Sequence, residues 1–353
     1  MIDQQSVQRI AVFRALHLGD LLLAVPGLRS LRAGFPEAEI TLISLGWARW
    51  FVERFQRYVD RFVEFQGFPG IGEVDFEPHV ANAAIAALRE ERFDLVIQLH
   101  GNGETSNRFI EAIRVPGTQS AGFYPSERPD FLTVARPYPT GKPEALRSLM
   151  LMLALGCPDT GTGLELPILA EDQEEADRLL QTLSPQRPLI GVHAGARSPA
   201  RRWPAERFAV VADALAEEHG GSILLTGSDG ERGLVAEVEA LMHAPAINLA
   251  GKTSLGGLAA LISRLDLFVC NDTGPAHIAH ALQTPSVTIF GPAEFERWAP
   301  PDLERHRVVR HPVFCSPCPH WVCPIDHRCL DRITPEVVLA AAEAQITKGR
   351  VAS

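Results

Sequence analysis

Short apolar runs alternate along this chain with longer stretches in which apolar residues recur at helical spacing. RIAVFRA (9–15) is built on the continuous apolar run IAVF, which predicts a buried strand. A short LHLGD turn follows. LLLAVPGLRSLRAGF (21–35) then reads as a helix, with Pro26 expected to kink it. EITLISL (39–45), RFVEF (61–65) and FDLVIQL (93–99) read as the next strands, with helical segments between them. From 136 to 168 the chain turns Pro- and Gly-rich around one helical segment, EALRSLMLMLALG, which marks the approach to a domain boundary. The rhythm then restarts with a strand at 188–195, an amphipathic helix at 204–220 and a strand at 222–227. AINLAG, LDLFVCN and PSVTIFG read as further strands. Such alternation predicts α/β architecture with parallel sheets covered on both faces. The expected organisation is two Rossmann-like domains, 1–165 and 166–333, with a C-terminal helix in 334–353 that opens on Thr334-Pro335-Glu336.

The length of 353 residues suits two such domains. The net charge of −10 argues against general nucleic-acid binding, so no nucleic-acid partner is expected. It leaves room for a local basic pocket at Arg197, Arg201 and Arg202. No run of about 18 apolar residues is present, so no membrane-spanning helix is expected. MIDQQSVQRI lacks the apolar core of a signal peptide. A cytoplasmic protein is therefore expected, with peripheral contact at the inner face of the inner membrane left open.

In open parallel sheets, ligands bind outside the carboxyl ends of the strands, so the residues just after strands carry the candidate chemistry. HLGD (17–20) offers His17, Gly19 for a tight turn, and Asp20. A carboxylate there suits a general base, although from spacing alone a plain helix cap is the favoured reading of Asp20. HAGARSPARRWP (193–204) combines small residues with Arg197, Arg201 and Arg202, whose guanidinium groups suit a diphosphate leaving group. The plainer reading is a solvated basic loop. NDTGPAHIAHAL (271–282) places Asp272, Thr273 and Gly274 at a helix start fit for phosphate, with His277 one turn in. TGSDGERG (226–233) presents Glu231, a candidate for ribose hydroxyls or an ordinary first-turn acid. QLHGNGETSN (98–107) partly matches a dinucleotide fingerprint, with Ser106 in place of the third glycine; alternatively His100 and Asn102 line an acceptor pocket.

Taken together, Leu18-Gly19-Asp20, Arg201-Arg202-Trp203-Pro204 and Asp272-Thr273-Gly274-Pro275-Ala276-His277, in that order, resemble the ADP-heptose:lipopolysaccharide heptosyltransferase family. The resemblance implies a GT-B fold, two Rossmann-like domains facing across a cleft. It implies inverting transfer of a heptose or related sugar from an ADP-sugar to a lipopolysaccharide-core or similar lipid-linked glycan, with no metal required for catalysis. Carried over, Asp20 becomes the base and Arg201 stabilises the leaving group. Asp272, Thr273, Gly274, His277, Glu231, Arg197 and Arg202 face the donor, and His17, Gly19, His100 and Asn102 the acceptor. Arg201 stands where relatives often have lysine, and Gln98 where they frequently carry an acid. A nucleotide-sugar-binding relative without transfer, a GT-B transferase with another donor, and a nicotinamide oxidoreductase built on HGNGETS are the alternatives.

Six cysteines fall into two groups. Cys157 and Cys270 sit in apolar surroundings and are expected to be inert. Cys315-x2-Cys318-x4-Cys323-x5-Cys329 has thiols at partly metal-like spacing. A structural zinc is the sharper expectation, and a loop with four reduced thiols the plainer one.

Overall fold

The twelve strands found among the described residues of the computed structural model, residues 2 and 4–351, pair in parallel throughout. They divide between two compact units, Met1–Leu164 and Glu165–Ser353.

The first unit contains β1 (Arg9–Phe13), β2 (Glu39–Ser44), β3 (Arg61–Glu64), β4 (Leu95–Gln98), β5 (Gln119–Tyr124) and β6 (Val134–Pro137), in the sheet order β3-β2-β1-β4-β5-β6. The second contains β7 (Leu189–His193), β8 (Ser222–Leu225), β9 (Ala246–Asn248), β10 (Leu267–Asn271), β11 (Ser286–Phe290) and β12 (His306–Arg310), in the order β12-β11-β10-β7-β8-β9. Both are the Rossmann order. The chain winds one way from the first strand of each unit, then returns and winds the other way. With right-handed crossovers, this puts helices on both faces. The central strands are buried because their side chains are apolar on both faces. Ile10 through Phe13, Ile190, Val192 and Leu267 through Cys270 are essentially without exposure.

The order of winding reverses once in each sheet, between β1 and β4 in the first unit and between β7 and β10 in the second. Neighbouring crossover loops diverge there and open a crevice at the strand ends.

Three elements differ from the sequence reading. The expected kinked helix at 21–35 is two helices, Leu18–Leu22 and Val25–Gly34. Pro26 falls in the first turn of the second, where its missing N–H costs nothing, so it begins a helix rather than bending one. The strands β5, β6 and β12 lie where no strand was expected. The C-terminal helix runs Pro335–Val351 and packs on the helix Ala205–His219 and on β10 to β12. Residues 352–353 of the expected helix lie outside the described residues.

Cys157 packs against Gly34, and burial pushes its thiol up to about 12. Burial also raises the Cys270 thiol well above its usual value. Both belong to their cores.

Candidate active site

In the first unit, the loops after β1 and β4 flank the switch point. His17 caps the helix Leu18–Leu22 in an extended conformation. Asp20 is the third residue of that helix, and its Oδ2 accepts the His17 N–H at 3.3 Å. Gly19 lies inside the helix's first turn and not at a left-handed turn, because the helix begins at Leu18, three residues before the expected start at Leu21. The Asp20 side chain keeps 17% of its surface exposed. It therefore serves as a cap and still keeps part of its side chain open to solvent.

Arg14, at the end of β1, organises this loop. Its Nε donates to the Asp20 carbonyl at 2.9 Å, its Nη1 to the Leu99 carbonyl at 2.5 Å and its Nη2 to Glu144 Oε1 at 2.9 Å. The same Nη2 stands 3.9 Å from Asp20 Oδ1. Arg147 completes the buried group through Glu144 Oε2 at 3.0 Å and the Tyr138 hydroxyl at 2.6 Å.

His100 stacks on Phe13 and accepts the Ala15 N–H through Nδ1 at 3.2 Å. Burial, reinforced by the Arg14 charge, pushes its pKa down to about 4. It is neutral near pH 7, with the proton on Nε2, 3.7 Å from Glu73. Asn102 turns back on its own loop, its Oδ1 accepting the Glu104 N–H at 3.0 Å. Gly103 has φ +93°, and a Cβ there would lie 2.1 Å from the Phe123 carbonyl. Packing against β5 thus accounts for the glycine that gave this loop its dinucleotide look. Gln98 is fully buried; its amide donates to Ser106 Oγ at 2.7 Å and accepts from the Phe123 N–H at 3.2 Å. It knits the loop together and presents nothing to a ligand.

In the second unit, the loops after β7 and β10 flank the switch point. Arg201 Nη1 pairs with Asp272 Oδ2 at 3.2 Å. Asp272 is buried at the end of β10, immediately before the helix Gly274–Ala281. Thr273 caps that helix in an extended conformation, without a side-chain bond to it, and Pro275 occupies the first turn. His277 is buried one turn in. Its Nδ1 has no hydrogen-bond partner among the described residues, and burial and the Arg201 charge push its pKa down to about 4.

Two side chains hold these loops in register. Asn271 Oδ1 accepts the Trp203 N–H at 3.0 Å while its Nδ2 donates to the Ala194 carbonyl at 2.8 Å. Trp203 is buried against Phe208 and donates its indole N–H to the Ile333 carbonyl at 3.0 Å. Arg202 turns inward, its Nε on the Ala196 carbonyl at 2.9 Å. Arg197 lies over the Trp321 ring at 5.8 Å.

Glu231 comes to the same loop. Its carboxylate accepts the Ser228 N–H at 2.8 Å and hydroxyl at 2.7 Å. It presses so closely on Gly195 that a Cβ there would meet Oε1 at 2.1 Å. Burial alone would raise this carboxyl, but His193, the two Ser228 bonds and Arg202 outweigh it and hold the pKa below the usual range. The second unit thus gathers a charged pair, an orphaned buried imidazole nitrogen, a helix start and an acid around one switch point. That combination suits an anionic ligand carrying a sugar or ribose.

The model for glycosyltransferase family 9 (heptosyltransferase) matches residues 82–328. The chain belongs to glycosyltransferase family 9. A lipooligosaccharide heptosyltransferase 2 of Campylobacter jejuni serotype O:2 is 33% identical over 161 residues; that match covers 44% of this chain and about half, 50%, of the relative's length. The lipopolysaccharide heptosyltransferase 2 of Salmonella typhimurium is 28% identical over 320 residues, covering 86% of this chain and 88% of that protein. A family 9 glycosyl transferase from Veillonella parvula superposes with a TM-score of 0.79 at 26% identity, covering 97% of each chain. The architecture is GT-B in type: two Rossmann-like units in series.

Asp20 and Asp272 stand after β1 and β10, beside the switch points of their units. Arg14, Glu144 and Asn271 went unnoticed in the sequence. Arg14 and Asn271 each follow directly on an apolar strand run, and a polar residue there was a usable signal.

Proposed function

We propose that this family 9 chain is an inverting glycosyltransferase that moves a heptose, or a related sugar, from an ADP-sugar to a lipopolysaccharide-core or similar glycan. The observation that carries the reading is the Arg201–Asp272 pair at the start of the helix Gly274–Ala281, with His277 beside it. Asp20 takes the proton from an acceptor hydroxyl. The hydroxyl oxygen attacks the anomeric carbon, the bond from that carbon to the diphosphate breaks, and ADP leaves with the bonding electrons. Arg201 and the N–H groups at Thr273 and Gly274 meet the charge that develops on the diphosphate. Asp272 holds hydroxyls of the donor sugar and Glu231 those of the ribose. His17 and His100 face the acceptor. Because fixed guanidinium and backbone groups carry the phosphate charge, transfer proceeds without an added divalent cation.

Peripheral contact with the inner face of the inner membrane is part of the proposal. Phe314, Trp321, Val322 and Ile325 leave more than half of their surface exposed on a single loop, 311–327. Such apolar and aromatic side chains suit a membrane interface where a lipid-linked acceptor lies. Among the described residues, no helix is long and apolar enough to cross a membrane.

Thermal shifts with ADP, ADP-heptose, UDP, GDP, CMP and NAD test the donor assignment. A ligand at about 100 times its Kd stabilises the fold by about 2.7 kcal/mol. Stabilisation by ADP and ADP-heptose alone is expected. A shift with another nucleotide and none with ADP overturns the ADP-sugar reading.

A further inference from the structure

Between Arg310 and Arg328 the chain forms neither helix nor strand. Seventeen residues of irregular backbone in one loop are unusual within a compact domain. Apolar packing secures little of this loop: Val313 packs on the core, but Phe314, Trp321, Val322 and Ile325 leave more than half of their surface exposed. Ordering it costs about 1–2 kcal/mol per residue for the backbone alone, which a bound ion would help to offset.

Three thiols lie in this loop, and a fourth, Cys329, lies just beyond it in the short helix Arg328–Asp331. Cys315, Cys318, Cys323 and Cys329 all line one cavity of about 20 Å³, which is room for a single water-sized body. None of the four is in a disulfide. The His327 N–H donates to Cys323 Sγ at 3.3 Å, the type of bond that stabilises a thiolate ligand. Arg328 also lines the cavity and brings positive charge to it. As they stand, no three Cys, His, Asp or Glu side chains among the described residues converge closely enough to hold an ion. Closing the four sulfurs on an ion therefore requires side-chain rotation around a cavity they already surround.

We propose that these four cysteines form a structural tetrathiolate site for one metal ion, of the kind that takes zinc. Four thiols and Zn²⁺ give a complex of charge −2 and release four protons. Arg328 and the His327 N–H offset that charge. The sequence spacing alone left this site open; that all four cysteines line one cavity is what favours it.

The site also has work to do. The loop is latched to the segment that carries Arg197 and Arg201. The Trp321 carbonyl accepts Ser198 Oγ at 2.7 Å and the Ala200 N–H at 3.1 Å, and His327 Nε2 meets the Ala200 carbonyl at 2.8 Å. Arg197 lies over the Trp321 ring. An ion that fixes the loop therefore fixes the backbone from Ser198 to Arg201. This second consequence bears on the donor site only if the proposed function holds, whereas the metal site stands or falls by itself.

The test is metal content by mass spectrometry on full-length protein purified without chelator, combined with thiol titration. About one zinc per chain is expected, with these four thiols protected from Ellman's reagent until the protein is denatured with chelator present. One iron per chain in place of zinc would uphold the thiolate site. Cys318→Ser is expected to lose the metal. If that variant fails to fold, stripped wild-type protein reloaded with Co²⁺ supplies an independent reading, the sulfur-to-cobalt charge-transfer bands of thiolate coordination. Folded protein with no bound metal, no cobalt bands on loading and freely reactive thiols would overturn the proposal. So would full zinc occupancy in Cys318→Ser.

Discussion

Arg201 reaches Asp272 through one contact of 3.2 Å, and the two partners differ sharply in exposure: the carboxylate side chain is 4% exposed and the guanidinium side chain 39%. The acid is fixed in the protein while the cation is open to solvent. Arg201→Ala is expected to lower kcat for sugar transfer by about 100- to 1,000-fold, the loss typical of removing one donor to developing charge. It also leaves a buried acid short of a counter-charge, at a cost of about 1–3 kcal/mol in stability. Arg201→Lys is expected to lose less of both, since it keeps the charge but not the planar fork. Steady-state kinetics and urea unfolding of the two variants check this.

Asp20 both caps a helix and offers a carboxylate, and one substitution separates the roles. Asp20→Asn keeps an oxygen to accept the His17 N–H but has no basicity. Its melting temperature is expected to stay near that of the wild type while kcat falls by about 100- to 10,000-fold, the usual range for a lost general base. Near-normal turnover in Asp20→Asn would leave Asp20 as a cap alone.

Arg14 ties the Asp20 and Leu99 carbonyls to Glu144. Arg14→Met strands part of the Glu144 charge in the interior. Arg147 still holds the other oxygen, so the expected loss is about 2–4 kcal/mol, below the full cost of an unpaired buried charge. Adding Glu144→Gln to Arg14→Met is expected to restore part of that stability. A double-mutant cycle by chemical denaturation measures the coupling.

Three histidines in the second unit form a buried chain, with ring centroids 5.5 Å apart for His277 and His280 and 4.7 Å for His280 and His306. Burial and the neighbouring Arg201 push His277 to about 4. Burial pushes His306 to about 4 as well, with Asp302 opposing and Arg305 adding to it. Burial and the other two rings drive His280 well below its usual value. The unfolded chain therefore binds protons below about pH 6.5 that the folded chain refuses. The stability contribution is complete above pH 6.5 and is lost as pH falls toward 4, at about 1.4 kcal/mol per pH unit for each histidine. Urea midpoints are expected to drop steadily from pH 7 to pH 5, and His306→Gln to shallow that slope.

The core of each sheet was legible because strands buried on both faces are written as unbroken apolar runs, such as Ile10–Phe13 and Leu267–Cys270. β5 was not, because QSAGFY is broken by Gln, Ser and Gly. β6 and β12 are edge strands: VARP ends in proline, and HRVVR has only two apolar residues, set between His306, Arg307 and Arg310. The motif acids were legible from their place after strands. The Arg14–Glu144 contact was not, because its partners lie 130 residues apart and only the fold brings them together. The position of Glu231 on Gly195 was hidden for the same reason, although Glu231 itself stood in a visible turn.

The most direct test of the central claim is sugar transfer itself. Purified protein is incubated with ADP-heptose and lipopolysaccharide core lacking its heptoses, and the acceptor mass and released ADP are followed together. The account predicts that the acceptor gains one heptose mass for each ADP released, and that Asp20→Asn abolishes most of both. ADP-heptose binding with neither acceptor gain nor ADP release, across truncated cores of every length, would contradict it and leave a sugar-nucleotide-binding protein in its place.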